Sequence, residues 1–317
     1  MNCPICNNLP KVLYSGLSDR FYPEIPGIYN LKQCPNCKLI FIDPQPSEKE
    51  LFSHYPEYYG VYKTLFKKHD KKFAIIKLVA KAYFKYGKSG PLLKFLLLPF
   101  YLKLSHLPFY VENGKLLEVG CGTGNRMLIF KELGWEVRGL EINQKVARVA
   151  QNNTGCKIYV SPLEEADLPE DYFDVVYLNN VFEHLKDPNK ALQKIKDTLK
   201  ENGELIIVIP SEDALLFKLF KQDFFPLDVP RYLFTYNKMN ISKLFSQHDF
   251  RVKKINYSYS LSSLTSSIAF KLNKTVDAFS FFDKIRLLWA IGFFLDPIFN
   301  IFEIGDMMTV RAIKMEK

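Results

Sequence analysis

Leu117-Glu118-Val119-Gly120-Cys121-Gly122-Thr123-Gly124 decides how this 317-residue chain is read. Lys115 to Val119 has the texture of a strand, and three alternating glycines stop it before a helical pattern from Asn125 to Leu133. A glycine-rich turn between strand and helix lets backbone N–H groups approach a nucleotide-like ligand. A dinucleotide site asks for G-x-G-x-x-G. The third glycine would stand at Asn125 or Met127, so the pattern disfavours NAD. Glu118 suits a phosphate badly and an amine-bearing cation well. The next strand, Trp135 to Leu140, runs into Glu141, seventeen residues after Gly124. An acid there can accept both hydroxyls of a ribose; the plain alternative is a solvated carboxylate at a strand end.

Outward from this turn, strands and helices alternate, the signature of a parallel sheet with crossover helices. Further strands are expected at Lys157 to Val160, Phe173 to Leu178, Glu204 to Ile209, Phe250 to Tyr257 and Met307 to Ile313. Helices are expected at Asn143 to Asn152, Pro188 to Lys200 and Lys238 to Gln247. Glu204 to Ile209 is apolar on both faces, as a central, covered strand would be.

Toward the N-terminus stand two C-x2-C pairs, Cys3/Cys6 and Cys34/Cys37, with twenty-seven residues between them. Two such turns complete a tetrahedron around one zinc ion, and four cysteines leave no open position, so the expected zinc is structural. The alternative is a pair of hairpin turns with redundant thiols. Leu39 to Ile42 is expected to close this ribbon as a strand.

Residues 61–115 hold twelve lysines and no arginine against two acids, Asp70 and Glu112. The chain's net charge is +9, so this segment accounts for its basicity. Its lysines interleave with apolar residues at helical spacing, a basic amphipathic pattern. Three units are expected: a zinc ribbon at 1–45, a basic helical region at 46–112, and an α/β domain at 113–317 with an apolar helical insertion at about 258–306. A hydrophobic share of 48% and a charged share of 24% exclude wholesale disorder. Neither a signal peptide nor an uninterrupted membrane span is evident, so a cytoplasmic protein is expected, peripheral on the inner face of the membrane if the lysine-rich segments dock there.

The turn, Glu141, Phe173-Asp174-Val175-Val176, Val181-Phe182-Glu183-His184-Leu185 and Leu199 to Leu205 together resemble a class I S-adenosylmethionine-dependent methyltransferase. The resemblance covers Lys115 to about Phe250 plus the last strand. It implies an α/β, doubly wound, mostly parallel seven-stranded sheet. More narrowly, the cysteines and Asp228-Val229-Pro230-Arg231-Tyr232 resemble bacterial methyltransferases with a four-cysteine ribbon, often found among surface-glycan and lipid-linked sugar genes. Such proteins more usually carry His where this chain has Tyr232.

Carried over by position, Gly120, Gly122 and Gly124 would bracket the methionine part of the cofactor, Glu118 would orient its amine, and Glu141 would hold the ribose. Leu163 and Glu164 fall where the family contacts adenine, and Asn179 and Asn180 face the sulfonium. His184 is the candidate general base, or else a brace for the following helix. Arg231 would clamp an acidic group of the acceptor, or form a structural ion pair. Some quinone O-methyltransferases hold a metal with an acid-x-x-Glu-His set; Asn180 replaces that first acid here. His54, His69, His106 and His248 read as surface or core residues. Tyr55, Tyr58 and Tyr59 would cover the site as a lid or simply pack together.

The expected reaction is methylation of a small-molecule, glycan or lipid-linked acceptor beside an anionic membrane surface, an O-methylation in the leading reading. An RNA base methyltransferase is the second reading. It is disfavoured because Leu178-Asn179-Asn180-Val181 lacks the Asn/Asp-Pro-Pro-aromatic motif and the basic segment lacks arginine. A non-catalytic partner that keeps the fold is the third.

Overall fold

In the computed structural model, residues 1–55, 71–274 and 295–315 are described. Tyr58, Tyr59, His69, the start of the basic segment and the first half of the apolar stretch from Leu287 to Phe302 lie outside them.

A small antiparallel sheet opens the chain. It comprises β1 (Lys11–Leu17), β2 (Tyr29–Gln33) and β3 (Ile40–Ile42). Among the described residues three helices follow: α1 (Glu48–Ser53), α2 (Lys71–Tyr83) and α3 (Pro91–Lys103). The alternating part then runs β4 (Lys115–Val119), α4 (Asn125–Glu132), β5 (Glu136–Leu140), α5 (Gln144–Thr154), β6 (Ile158–Tyr159), β7 (Phe173–Asn179), α6 (Pro188–Thr198) and β8 (Leu199–Pro210). Last come α7 (Leu215–Phe220), β9 (Phe234–Thr235), α8 (Lys238–Ser246), β10 (Phe250–Ser258), α9 (Leu261–Lys271) and β11 (Met307–Lys314).

Seven strands form the main sheet in the order β10-β11-β8-β7-β4-β5-β6. The pairs β4–β5, β4–β7, β5–β6 and β7–β8 are parallel, while β11 runs antiparallel to both β8 and β10. The chain winds outward from β4 through β5 and β6, then returns to place β7 on β4's other side. That reversal between β4 and β7 is where doubly wound sheets bind ligands. The expected α/β fold is therefore the observed one.

Adjacent residues of each central strand point to opposite faces. Leu116, Val175 and Ile206 join one apolar cluster with α2 and α4, while Leu117, Val176 and Ile207 join a second with α6, α8 and the small sheet. Local chemistry sets the helix ends. Asp187 caps α6 by accepting from the backbone N–H of Asn189 and Lys190, with Pro188 at the first helical position. Gly155 ends α5 in the left-handed conformation, φ 65°.

Two boundaries differ from expectation. Helix α6 stops at Thr198, because Leu199 already pairs with Phe173. The next paired residues are Val175 and Glu204, so Lys200 to Gly203 bulge out within β8 rather than forming a separate turn. The ribbon is likewise not bounded at residue 45. Its sheet is completed by β9, through Ile40↔Thr235 and Phe41↔Phe234, and Cys3, Leu31 and Phe41 share a core with Val176 and Ile207.

Candidate functional site

The glycine turn leaves β4 at the switch point. Gly120, Gly122 and Gly124 all have positive φ, at 65°, 53° and 84°, a region that other L residues enter at a cost. A Cβ on Gly120 would meet Val181 Cγ2 at 2.4 Å, and one on Gly124 would meet Thr154 Cγ2 at 2.6 Å. A Cβ on Gly122 would meet nothing within 4 Å, so that side of the turn's middle opens onto space that a ligand can approach.

Two buried carboxyl groups face this turn. Glu141 accepts from the Gly122 N–H at 3.0 Å and the Asn143 N–H at 3.0 Å, which ties the end of β5 to the turn. Burial raises its pKa, and those backbone donors oppose the shift. Glu118 is 4% exposed, and its Oε2 has no hydrogen-bond partner among the described residues. Burial pushes its pKa up to about 8, against the charge of Arg126. The Tyr177 hydroxyl is similarly orphaned. A buried carboxyl oxygen without a partner beside the glycine turn fits a ligand that brings an ammonium group. Leu163 packs into the core at 2% exposure, and Glu164 sits beside it, half-buried. Asn179 ends β7, and Asn180 leaves it in a left-handed conformation, φ 51°, donating its N–H to the Val208 carbonyl at 2.8 Å.

His184 closes the short 3₁₀ turn Phe182–His184 just beyond β7. Its Nδ1 lies 2.9 Å from the Arg231 carbonyl oxygen and 2.8 Å from the Tyr55 hydroxyl. A carbonyl only accepts, so Nδ1 carries the proton and the lone pair is on Nε2. Tyr232 meets the ring edge-on at 4.8 Å, so it joins this site through a phenol ring. Burial lowers the His184 pKa to about 4, with the Arg231 and Asn180 carbonyls opposing and the Arg231 charge adding to the shift. The ring is therefore neutral from pH 5 upward.

Arg231 does not point at a substrate. It is wholly buried, and all five of its N–H groups are taken. Nε and Nη2 donate to Asp228 at 2.9 and 2.5 Å, Nη1 and Nη2 donate to Asp19 at 2.6 and 2.9 Å, and Nη1 donates to the His54 carbonyl at 3.1 Å. Phe21 and Tyr22 lie against the guanidinium at 4.9 and 5.3 Å. The clamp expected from sequence is thus the structural ion pair, since no donor remains for an acidic acceptor. His54 belongs to the same network. Its Nδ1 meets Asp19 at 2.7 Å and its Nε2 meets the Tyr29 hydroxyl at 3.0 Å. Asp19, Tyr29 and His54 had no local signal: Asp19 and Arg231 are 212 positions apart.

The four N-terminal sulfurs lie within 4.8 Å of one another, with Cys3–Cys37 at 3.5 Å and Cys6–Cys34 at 3.3 Å. A tetrahedron with Zn–S bonds of about 2.3 Å has S···S edges of about 3.8 Å, so the set fits a zinc ion. An open groove of about 810 Å³ runs beside this knuckle, past Lys186, Asn189, Phe234 and Lys243. It contains none of the glycine-turn residues and is separate from the switch point.

Residues 117–207 match the family model described as a methyltransferase domain. An uncharacterised protein of Haemophilus influenzae is 34% identical over 113 residues, covering 32% of this chain and 44% of that protein. The ubiquinone biosynthesis O-methyltransferase of a Shewanella species is 36% identical over 95 residues, covering 28% and 40%. The chain thus spans less than half the length of either relative. A solved S-adenosylmethionine-dependent methyltransferase from Mesorhizobium loti is 16% identical, covering 67% of this chain and 95% of that one with a TM-score of 0.44. The family match runs from within β4 into β8, the part of the chain that carries the glycine turn and the parallel core of the sheet.

Proposed function

We propose that the chain is an S-adenosylmethionine-dependent methyltransferase that methylates a hydroxyl of a sugar, glycolipid or other small acceptor close to a membrane. The observation that carries the cofactor reading is the unpartnered Glu118 Oε2 beside Gly122, where a Cβ would meet nothing within 4 Å. In this reading Glu118 receives the amine, Glu141 receives the ribose hydroxyls, and Leu163 and Glu164 flank the adenine. When bound, the cofactor supplies a methyl carbon already attached to a good leaving group. The protein then has to align the acceptor and take its proton. His184 Nε2 would do the latter, accepting the proton of the acceptor hydroxyl, while the cofactor would supply the methyl carbon and keep the sulfur as leaving group. The neutral state of His184 keeps the Nε2 lone pair available across the physiological range. The cysteines hold a structural zinc that ties the ribbon turns together, and metal analysis of protein prepared without chelators should find close to one zinc per chain.

The membrane part rests on α3. Leu92, Phe95 and Leu96 are 72%, 74% and 61% exposed, with Lys88 and Lys94 exposed nearby. Among the described residues no helix is long and apolar enough to cross a membrane, so contact would be at the surface.

The test is transfer of label from the cofactor's methyl group into the lipid, glycan and RNA fractions of cells, by the protein and by His184→Ala. Label in a glycan or lipid fraction, reduced about 10²–10⁴-fold in the variant, is the expected result. Label in RNA would favour the base-methylation reading, and no transfer into any fraction would remove the enzyme assignment.

A further inference from the structure

We propose that Asp19, in the N-terminal ribbon, is a positioning residue for methyl transfer: through Arg231 it fixes the carbonyl that keeps the His184 proton on Nδ1. This rests on the reading of His184 as the base.

The chain of contacts is continuous. Asp19 offers both carboxylate oxygens to Arg231, at 2.6 and 2.9 Å, in the two-pronged geometry that holds a guanidinium most firmly. Asp19 is itself held: it accepts from the Phe21 and Tyr22 backbone N–H groups at 2.8 and 3.0 Å and pairs with His54 Nδ1 at 2.7 Å. Asp228 grips the other edge of the guanidinium. A side chain gripped on all sides and buried holds its own backbone in place, and the Arg231 backbone carbonyl is what His184 Nδ1 donates to. The second group on Nδ1 has the same origin. Tyr55 follows His54, whose carbonyl accepts from Arg231 Nη1. Besides the Asn180 carbonyl on its own turn, the two groups that meet Nδ1 are therefore anchored on one buried guanidinium, and that guanidinium is anchored on the ribbon.

The chemistry gives this consequence. Which imidazole nitrogen is basic depends on the hydrogen bond made by the other. With Nδ1–H held on the carbonyl, Nε2 is basic in every molecule. When the carbonyl drifts, the proton distributes over both nitrogens, and molecules with Nε2–H cannot accept a proton there. The ribbon thus contributes to the reaction as well as to the fold.

The experiment is nitrogen-15 NMR of histidine-labelled full-length protein saturated with S-adenosylhomocysteine, for wild type, Asp19→Asn and Arg231→Lys. The His184 signals would be assigned with His184→Gln. Wild type should show a protonated Nδ1 and an unprotonated Nε2 at pH 7. Asp19→Asn keeps the shape but weakens the grip, and Arg231→Lys keeps the charge but loses the fork; both should show a mixed tautomer. Zinc content and far-ultraviolet circular dichroism identify any variant that has not folded, and Arg231→Lys serves if Asp19→Asn has not. Unchanged His184 nitrogen shifts in a folded variant overturn the proposal. If His184→Ala leaves methyl transfer intact, the base assignment fails, while the NMR comparison still decides whether the ribbon sets the tautomer.

Discussion

The two ends of the site are built in different ways. At the cofactor end, Glu118, the three glycines and Glu141 lie within 24 residues, and short backbone bonds such as Gly122 N–H to Glu141 define their geometry. At the histidine end, the groups around His184 come from four places: Asp19 in the ribbon, His54 and Tyr55 after α1, His184 after β7, and the 228–232 loop. The first end is made by a turn, the second by a buried ion pair. Damage to the first should therefore change ligand affinity, and damage to the second should change stability as well as catalysis.

The largest expected effect comes from Arg231→Met. It leaves Asp19 and Asp228 facing each other in the interior with no counter-charge, and removing one partner of a buried ion pair costs about 3–5 kcal/mol. The denaturant midpoint should fall accordingly while the cofactor affinity of the folded fraction changes little. A loss of stability below about 1 kcal/mol, the range of a surface pair, would break the comparison, because the histidine end would then not depend on the ion pair.

This contrast also explains what could be read in the sequence. The strand, glycine turn, helix and following acid are local, so their order carries the fold, and the seven strands were all recognisable from apolar runs. Cys3, Cys6, Cys34 and Cys37 were legible through spacing alone. The fate of Arg231 was not. A guanidinium that binds substrate and one that binds two buried aspartates look the same in the string Val229-Pro230-Arg231, because the deciding residue, Asp19, is brought close only by tertiary folding. The capture of β9 by the ribbon sheet escaped for the same reason: two residues, Phe234 and Thr235, make a strand only because β3 offers them an edge.

Glu141→Ala should have the next largest effect. It removes the expected ribose acceptor and leaves the Gly122 and Asn143 N–H groups without their partner. A loss of about 1.5–3 kcal/mol in S-adenosylmethionine affinity is expected from charge-assisted bonds, with a loss of stability smaller than that of Arg231→Met. Calorimetry showing equal affinity would dissolve the distinction between the two ends.

A smaller and graded effect is expected from pH. Glu118 stands at about 8 in the empty protein, so at pH 7 it is mostly protonated and has to ionise to pair with an ammonium group. Affinity should rise by up to about tenfold per pH unit from 6 toward 8, with proton release visible as a dependence of the binding heat on the buffer. Glu118→Gln should flatten the slope. The stability of the empty protein has the opposite sign. The folded pKa lies above the ordinary 4.5, so the folded state holds the extra proton and loses stability as pH rises between those values. Glu118→Gln should therefore melt no lower than wild type at pH 8.

The smallest effect on stability should come from α3, where the inside-versus-outside question recurs in two helices of equal length. Helix α2 turns Val79, Ala80 and Phe84 beyond its end into the core, and burying one large apolar side chain is worth about 1.5–3 kcal/mol. Helix α3 is also well held: the Tyr83 hydroxyl donates to the Lys94 carbonyl, Tyr83 stacks on Tyr101 at 4.5 Å, and Lys103 pairs with Asp296 at 2.6 Å. Yet Leu92, Phe95 and Leu96 face outward. The double substitution Leu92→Ser with Phe95→Ser removes apolar surface that stabilises nothing inside, so the denaturant midpoint should move by less than about 0.5 kcal/mol. Its effect should be on vesicles. Lysines near an anionic surface contribute about 1 kcal/mol each, and the attraction fades within a Debye length, while apolar side chains entering the headgroup region add binding that salt does not screen. Wild type should float with anionic liposomes and be partly released by high salt, and the double variant should float less at every salt concentration. Equal flotation of both proteins would remove α3 from the membrane reading. A large loss of stability in the variant would show instead that this face, like that of α2, belongs to the interior.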